Sequence, residues 1–325
     1  MGSGWLALAA AACCCCCCCC AFTAPAAQAT APPPPPQSAC MPPHDSLSFC
    51  NASLPVARRA ALLASLMTVE ELVSQTIDGM VAIPRLGIRQ NYVYGTEALH
   101  GIAAECPILG PSGRCFTSFA TASASAASFN RSLWHSVGRA QGREARWAYE
   151  HGYLAGLHLR GPQLNPQRDP RWGRCDNSPG EDAFVNGEFG AQMVLGGQGA
   201  YPNGTYPHGE YRNAIHEMKH FAAYSVEDGR NEKEDTWDIS LRDLSEYYFA
   251  PLRACVEQAD VGAYMCSYDA INRTAACGDE WMNVDVVRSH WGFEGAIESD
   301  CGAVEGISSH MHGGWSSATM VRKHL

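Results

Sequence analysis

Apolar positions along the chain follow two rhythms. From Pro55 to Gln75 they recur at helical spacing, with Ala60, Leu63, Leu66 and Leu72 among them, as one face of a 3.6-residue period requires. Within that stretch Thr68-Val69-Glu70-Glu71 has the form of a capped helix start, because a Thr and a Glu three residues later can each satisfy the other's free backbone amide. A second helix-compatible region, rich in Ala, Ser, Arg and Glu, runs from Thr121 to His151, with Phe129, Leu133, Trp134 and Val137 as the expected buried stripe. A third runs from Leu241 to Gln258. Between such stretches stand short apolar runs that end in polar or charged residues: "YLAGLHLRGPQLN", "NAIHEMKHF", "VGAYMCSYDAIN" and "FEGAIESDCGAV". Short strands alternating with helices predict a parallel β/α architecture.

In a closed β/α barrel the carboxyl ends of the strands and the loops after them converge on one mouth. The four runs bring Arg168, Asp169, Arg171 and Arg174; Lys219 and His220; Tyr268; and Glu298 and Asp300 to that end. Fixed donors around a carboxylate suit a ligand with many hydroxyls, and Trp172, Tyr224 or Trp237 is the kind of flat surface that lies against a sugar ring. Each residue also has a plain structural use. Arg171, and by the same logic Arg168, can pair with Asp169 to hold the loop; Tyr268 can simply pack; an Asp at a strand end can be a turn residue. The convergence of all four strand ends favours a site.

Composition narrows the partner. With 325 residues, 46% of them hydrophobic, the chain is long enough for a sizeable core. A formal net charge of -10 argues against a nucleic-acid backbone as ligand. Residues 1–29 read as a signal peptide, with an apolar stretch from Trp5, the cysteine run Cys13 to Cys20, and Ala27-Gln28-Ala29 as a cleavage site. No membrane contact is expected beyond that segment. Residues 30–48, with Pro32 to Pro36, read as a stiff linker. The nine later cysteines contain no C-x-x-C pair, which removes the usual zinc signature. Cys106 and Cys115 are the most local candidates for a disulfide, and Asn51, Asn130, Asn203 and Asn272 begin glycosylation sequons. The expected location is secreted, extracellular or in a cell wall.

Eight segments in one order carry a resemblance that covers about Phe49 to Ile307: "FCNASLPVARRAALLASLMTVEELVSQ", "GTEALHGI", "SFATASASAASFN", "RDPRWGR", "PGED", "KHFAAY", "MCSYDAIN" and "IESDCGAV". The chain resembles the amino-terminal barrel of the family 3 glycoside hydrolases, and within them the secreted β-xylosidase branch of plants and fungi. The resemblance implies a TIM-like (β/α)8 barrel over residues 49–325, incomplete at its carboxyl end. Asp300 would close the family's seventh strand, and the tail "SSHMHGGWSSATMVRKHL" shows no further strand and helix. The family's later sandwich domain is expected to be absent.

Carried over residue by residue, the resemblance implies Asp300 as the catalytic nucleophile. It implies Arg174, Lys219 and His220 as holders of sugar hydroxyls, Arg230 as a further arginine beside them, and Tyr268 as the tyrosine close to the nucleophile. Glu97 of "EALHG" stands where glucosidases place a shorter aspartate, so it is expected to crowd the hydroxymethyl arm of glucose and favour xylose. The implied chemistry is retaining hydrolysis of terminal β-D-xylose, with two carboxyl groups about 5 to 5.5 Å apart. The family's alternatives are a β-glucosidase or an α-L-arabinofuranosidase, and a non-catalytic sugar-binding remnant is the reading from another class. Arg and Lys donors near Asp300 are expected to keep it ionised. No metal or organic cofactor is called for. The family's acid/base is a glutamate of the sandwich domain; Glu227, Glu232 and Glu234 are read here as solvated loop charge. Asn177 departs from the family pattern, which has a glutamate before "PGED".

Overall fold

The computed structural model describes residues 39–76, 80–90, 94–103, 115–207, 209, 211–228, 230, 236–304 and 307. The expected signal segment, the proline run, Cys106, Glu232 and Glu234 lie outside the described residues.

Helices α1 (Val56–Ser65) and α2 (Val69–Ser74) form where the periodicity places them. The start of α2 is the expected capping box: Thr68 N donates to Glu71 Oε2 at 2.9 Å and Glu71 N to Thr68 Oγ1 at 3.2 Å. After β1 (Tyr94–Glu97), the long helical region divides into α3 (Ala122–Ala126) and α4 (Arg131–Glu150). Phe129 takes a left-handed φ of 47°, and Asn130 then caps α4 by accepting from Leu133 N at 3.1 Å. That new start rotates the buried stripe away from the expected one. Trp134 and Val137 are buried, but Phe129 is 73% and Leu133 43% exposed; the face continues instead through Gly138, Gln141, Gly142, Ala145 and Ala148.

The small residues on α4 have a partner that the periodicity did not predict. After β2 (His158–Gln163) comes α5 (Ala183–Gln198), started by Asp182, which accepts from Val185 N at 2.7 Å. It is buried on nearly all sides, so it has no polar face to make a period, and its glycines read as loop signals. They are needed for close approach. A Cβ added to Gly142 would stand 2.0 Å from the Gly197 carbonyl oxygen, and one on Gly196 2.1 Å from that of His135.

Next follow β3 (Ile215–Phe221), β4 (Thr236–Trp237) and α6 (Leu241–Asp243), a π-helical turn at Leu244–Tyr248, and α7 (Ala250–Ala259). The third helical region is thus present but broken into three pieces. Pro251 has no amide to donate, so the turn before it is a natural place for the hydrogen-bond register to slip, and Phe249 N donates five residues back to Leu244 O at 2.8 Å. The remaining strands are β5 (Ala263–Cys266), β6 (Ala270–Ile271), β7 (Thr274–Ala275) and β8 (Ala296–Ser299), with a π-helical segment Trp281–His290 before the last.

All four apolar runs contain strands of one parallel sheet, ordered β1-β2-β3-β5-β8. Strands β4, β6 and β7 make a separate small sheet. The parallel sheet is curled. Arg160 on β2 meets Glu298 on β8 at 2.6 Å although two strands lie between them, and Lys219 on β3 meets Glu97 on β1 at 2.6 Å across β2. Such contacts need the side chains on the inside of a barrel wall. The main core lies between this wall and the outer helices, built on Leu164, Phe189, Met218, Phe221, Leu252 and Tyr264. Strand, helix and direction agree with the expected TIM-like architecture, with five strands in the parallel sheet among the described residues.

Disulfides join Cys40 to Cys50 and Cys266 to Cys277. Cys115 is disulfide-bonded as well, whereas Cys175, Cys255 and Cys301 are free thiols. The glycine contact between α4 and α5 gives the first prediction. Gly142→Ala inserts a methyl group against backbone that cannot step aside, and costs about 1–3 kcal/mol or more. A lower urea midpoint at unchanged slope is the expected result; an unchanged midpoint would show that the two helices do not pack this closely.

Candidate active site

Every one of the seven expected site residues lies at the carboxyl end of a parallel strand or in the loop after it. Glu97 ends β1, Arg174 follows β2, Lys219 and His220 close β3, Arg230 follows β3, Tyr268 follows β5 and Asp300 follows β8. Parallel direction alone gathers them on one side.

Asp300 is 9% exposed. Its Oδ1 accepts from Cys301 N at 2.8 Å, and its Oδ2 stands 3.5 Å from His220 Nε2. Tyr268 is the other close neighbour. Burial, and then the Asp300 carboxylate, push its phenol up to about 12. The expected Arg and Lys donors do not pair with Asp300 in the contacts described: Lys219 Nζ holds Glu97 Oε2, and the arginines turn to Glu227.

His220 is buried, and its main chain is clamped by a buried asparagine that pattern reading passed over. Asn165 Nδ2 donates to His220 O at 2.7 Å, and His220 N donates to Asn165 Oδ1 at 2.8 Å. The signal was present, since Asn165 is the polar residue ending the run "YLAGLHLRGPQLN". Burial, with the Lys219, Arg174 and Arg230 cations around it, holds the His220 imidazole well below its ordinary pKa. It is therefore a neutral ring against the Asp300 carboxylate.

The loops contribute a second group, centred on Glu227. Arg174 reaches its Oε1 at 3.0 Å, and Arg230 pairs with the same oxygen. Tyr224 donates to Oε2 at 2.9 Å, and the Trp172 indole N–H to Oε2 at 3.3 Å. Glu227 is thus no solvated loop charge; it is the carboxylate on which both arginines converge. Trp172 and Tyr224 are 4% and 0% exposed, so they offer no free ring face to a sugar. The side chain of Trp237 is outside the described residues. Rings join the two groups: His220 lies edge-on to Tyr224 at 5.0 Å, and the Arg230 guanidinium sits 4.7 Å from the Tyr268 ring centre.

The other arginines of "RDPRWGR" shape the loop. Arg171 is paired with Asp169, whose carboxyl it holds down at about 2. Arg168 does not share that partner, as the expectation had it; it donates to the Tyr248 hydroxyl at 3.1 Å and packs over Tyr247. Glu298, expected at the mouth, lies one layer lower, where Arg160 holds it. Beside it burial, then the Glu298 charge, raises Glu217 well above the usual carboxylate range, and burial, then Arg160, lowers His158 to about 4. A cavity of about 520 Å³ opens beside Asp300, lined also by Arg160, Glu298 and Thr76. Glu97 faces a second of about 270 Å³ with His100 and Phe116.

The glycosyl hydrolase family 3 N-terminal domain matches residues 85–324. The chain belongs to glycosyl hydrolase family 3. Within the family it is similar to a probable exo-1,4-beta-xylosidase of Aspergillus terreus, 37% identical over 82% of this chain and 35% of that protein. It is also similar to the probable beta-D-xylosidase 7 of Arabidopsis thaliana, 35% identical over 79% of this chain and 34% of that protein. Among solved structures it resembles a family 3 exo-beta-xylosidase in complex with a xylobiose aziridine activity-based probe, with a TM-score of 0.74 and 31% identity over 83% of this chain and 34% of that one. The chain spans about a third of the length of these relatives.

His220 supplies a pH prediction. Its folded pKa lies below its ordinary 6.5, so the unfolded chain takes up the proton first. Its contribution to stability is present above about pH 6.5 and is lost as the pH falls below that value toward the folded pKa. Nuclear magnetic resonance of histidine-labelled protein should show the His220 ring unchanged from about pH 7.5 to 5.5. An inflection of that ring near its ordinary value would contradict the buried, cation-flanked position.

Proposed function

We propose that this chain forms the nucleophile-bearing, sugar-binding face of a retaining β-xylosidase. The observation that carries the reading is the meeting of Asp300, His220, Tyr268 and the Arg174–Arg230 pair at the ends of four different strands and their loops. In this reading an Asp300 oxygen attacks the anomeric carbon as the bond to the leaving oxygen breaks, giving a xylosyl ester. Water then cleaves the ester and releases xylose with retained configuration. Neutral His220, Lys219 and Arg174 hold sugar hydroxyls, and Tyr268 supports the nucleophile. Both Glu227 oxygens already accept from donors, so it serves the arginines, and the proton for the leaving group comes from another carboxyl group.

Xylose is favoured by Glu97. Held by Lys219 at 2.6 Å, it projects a carboxylate where the extra arm of a hexose would need room. The substrates proposed are xylo-oligosaccharides and related xylosides. We also propose that the protein works outside the cell. Support comes from the leader-like first 29 residues, the disulfides Cys40–Cys50 and Cys266–Cys277 and the exposure of all four sequon asparagines, Asn51, Asn130, Asn203 and Asn272.

The test is a dinitrophenyl 2-fluoro-xyloside, whose leaving group departs without acid help and whose fluorine slows release of the ester. Peptide mass spectrometry should find one fluoroxylosyl group on the Asp300 peptide and none after Asp300→Asn. An unlabelled chain, under conditions where a full-length xylosidase of the family is labelled, would overturn the reading for this polypeptide.

A further inference from the structure

Beneath the mouth, the inside of the curled sheet carries charge where branched apolar side chains usually fill such a barrel. His158 on β2, Glu217 on β3 and Glu298 on β8 each bring one ligand-type atom into a group lying within 4.8 Å of one another. His158 Nε2 is 3.6 Å from Glu217 Oε2, and His158 Nδ1 is 3.3 Å from Glu298 Oε2. One ion engages only one of these ring nitrogens, so only one of the two separations is a ligand–ligand distance about it, and that one is close to the roughly 3.3–3.4 Å between ligands of a tetrahedral ion. Glu217 is 0% and His158 6% exposed, yet neither oxygen of the one and neither nitrogen of the other takes part in a hydrogen bond. Buried polar groups are ordinarily satisfied.

The neighbouring cation does not meet this demand. Arg160 takes Glu298 Oε1 at 2.6 Å, which leaves Oε2 toward His158, and is 3.9 Å from Glu217 Oε2. One guanidinium faces two carboxyl groups here, and no guanidinium can serve the lone pair of the imidazole. A divalent ion serves both, and one imidazole with two carboxylates is a ligand set that suits zinc and its neighbours. The cavity of about 520 Å³ that His158 and Glu298 line gives it a way in.

We propose that His158, Glu217 and Glu298 form a structural site for one divalent transition-metal ion of the zinc class. The ion ties β2, β3 and β8 together across the barrel. Because Glu298 precedes Asp300 by two residues, it also fixes the strand on which Asp300 is carried. The site stands on its own ligands and does not depend on the xylosidase reading.

Full-length protein freed of metal with a chelator is titrated with cobalt(II) and then zinc(II). The Cys13 to Cys20 run and the free thiols will also bind these ions, but thiolate–cobalt charge-transfer bands separate them from nitrogen–oxygen ligation. The expected result is one nitrogen–oxygen cobalt site per chain, displaced by zinc, with a raised thermal midpoint. Glu217→Gln should weaken it about tenfold or more while thiolate-bound cobalt stays unchanged. Wild-type protein with no nitrogen–oxygen cobalt band overturns the proposal without recourse to a variant. So does a band that survives both Glu217→Gln and His158→Gln, and the layer then shares protons instead.

Discussion

The Arg160–Glu298 contact spans two intervening strands, and everything at the mouth depends on the curl it records. A flat sheet would leave the ends of β1 and β8 four strand spacings apart, about 19 Å at the usual separation. Curling brings Asp300, His220 and Tyr268 onto one arc. It also forces charged residues of β2, β3 and β8 into the interior, where each must find a partner. The same geometry therefore creates a cluster of functional groups above and an electrostatic problem below.

The upper cluster solves its own charge problem by pairing. Arg174 and Arg230 share Glu227, and Lys219 is matched with Glu97. Each cation is thus held in place before any ligand arrives, which lowers the cost of ordering long side chains on binding. His220 takes the complementary part: surrounded by cations, it stays neutral beside Asp300. Tyr224 and Trp172, both buried, donate to Glu227 and so hold the carboxylate on which the two arginines converge.

Much of this was legible in the sequence, for a physical reason. Short, partly apolar runs between helix-compatible stretches marked β2, β3, β5 and β8, so the polar residues ending them could be compared. Helix α5 could not be found, because a helix buried all round has no period and its glycines look like loop. The stripe on α4 was misplaced because Phe129 lies before the cap that sets the helical phase. Glu227 was misread because two of its partners, Trp172 and Arg174, lie on another loop, and Arg168 because its tyrosines follow some 80 residues later. The lower layer was invisible for the same reason: a sequence shows that Arg160 and Glu217 lie on strands, but only a curled sheet shows which charges meet.

The central claim is that these strand ends form one pyranose subsite built around Asp300. A crystal structure of the chain with a high concentration of xylose tests it most directly. The account predicts a single xylose whose hydroxyls contact Arg174, Lys219 and His220, with its anomeric carbon facing an Asp300 oxygen. Xylose bound elsewhere, or a well-ordered mouth that stays empty while Arg174 and Lys219 keep only their glutamate partners, would contradict it.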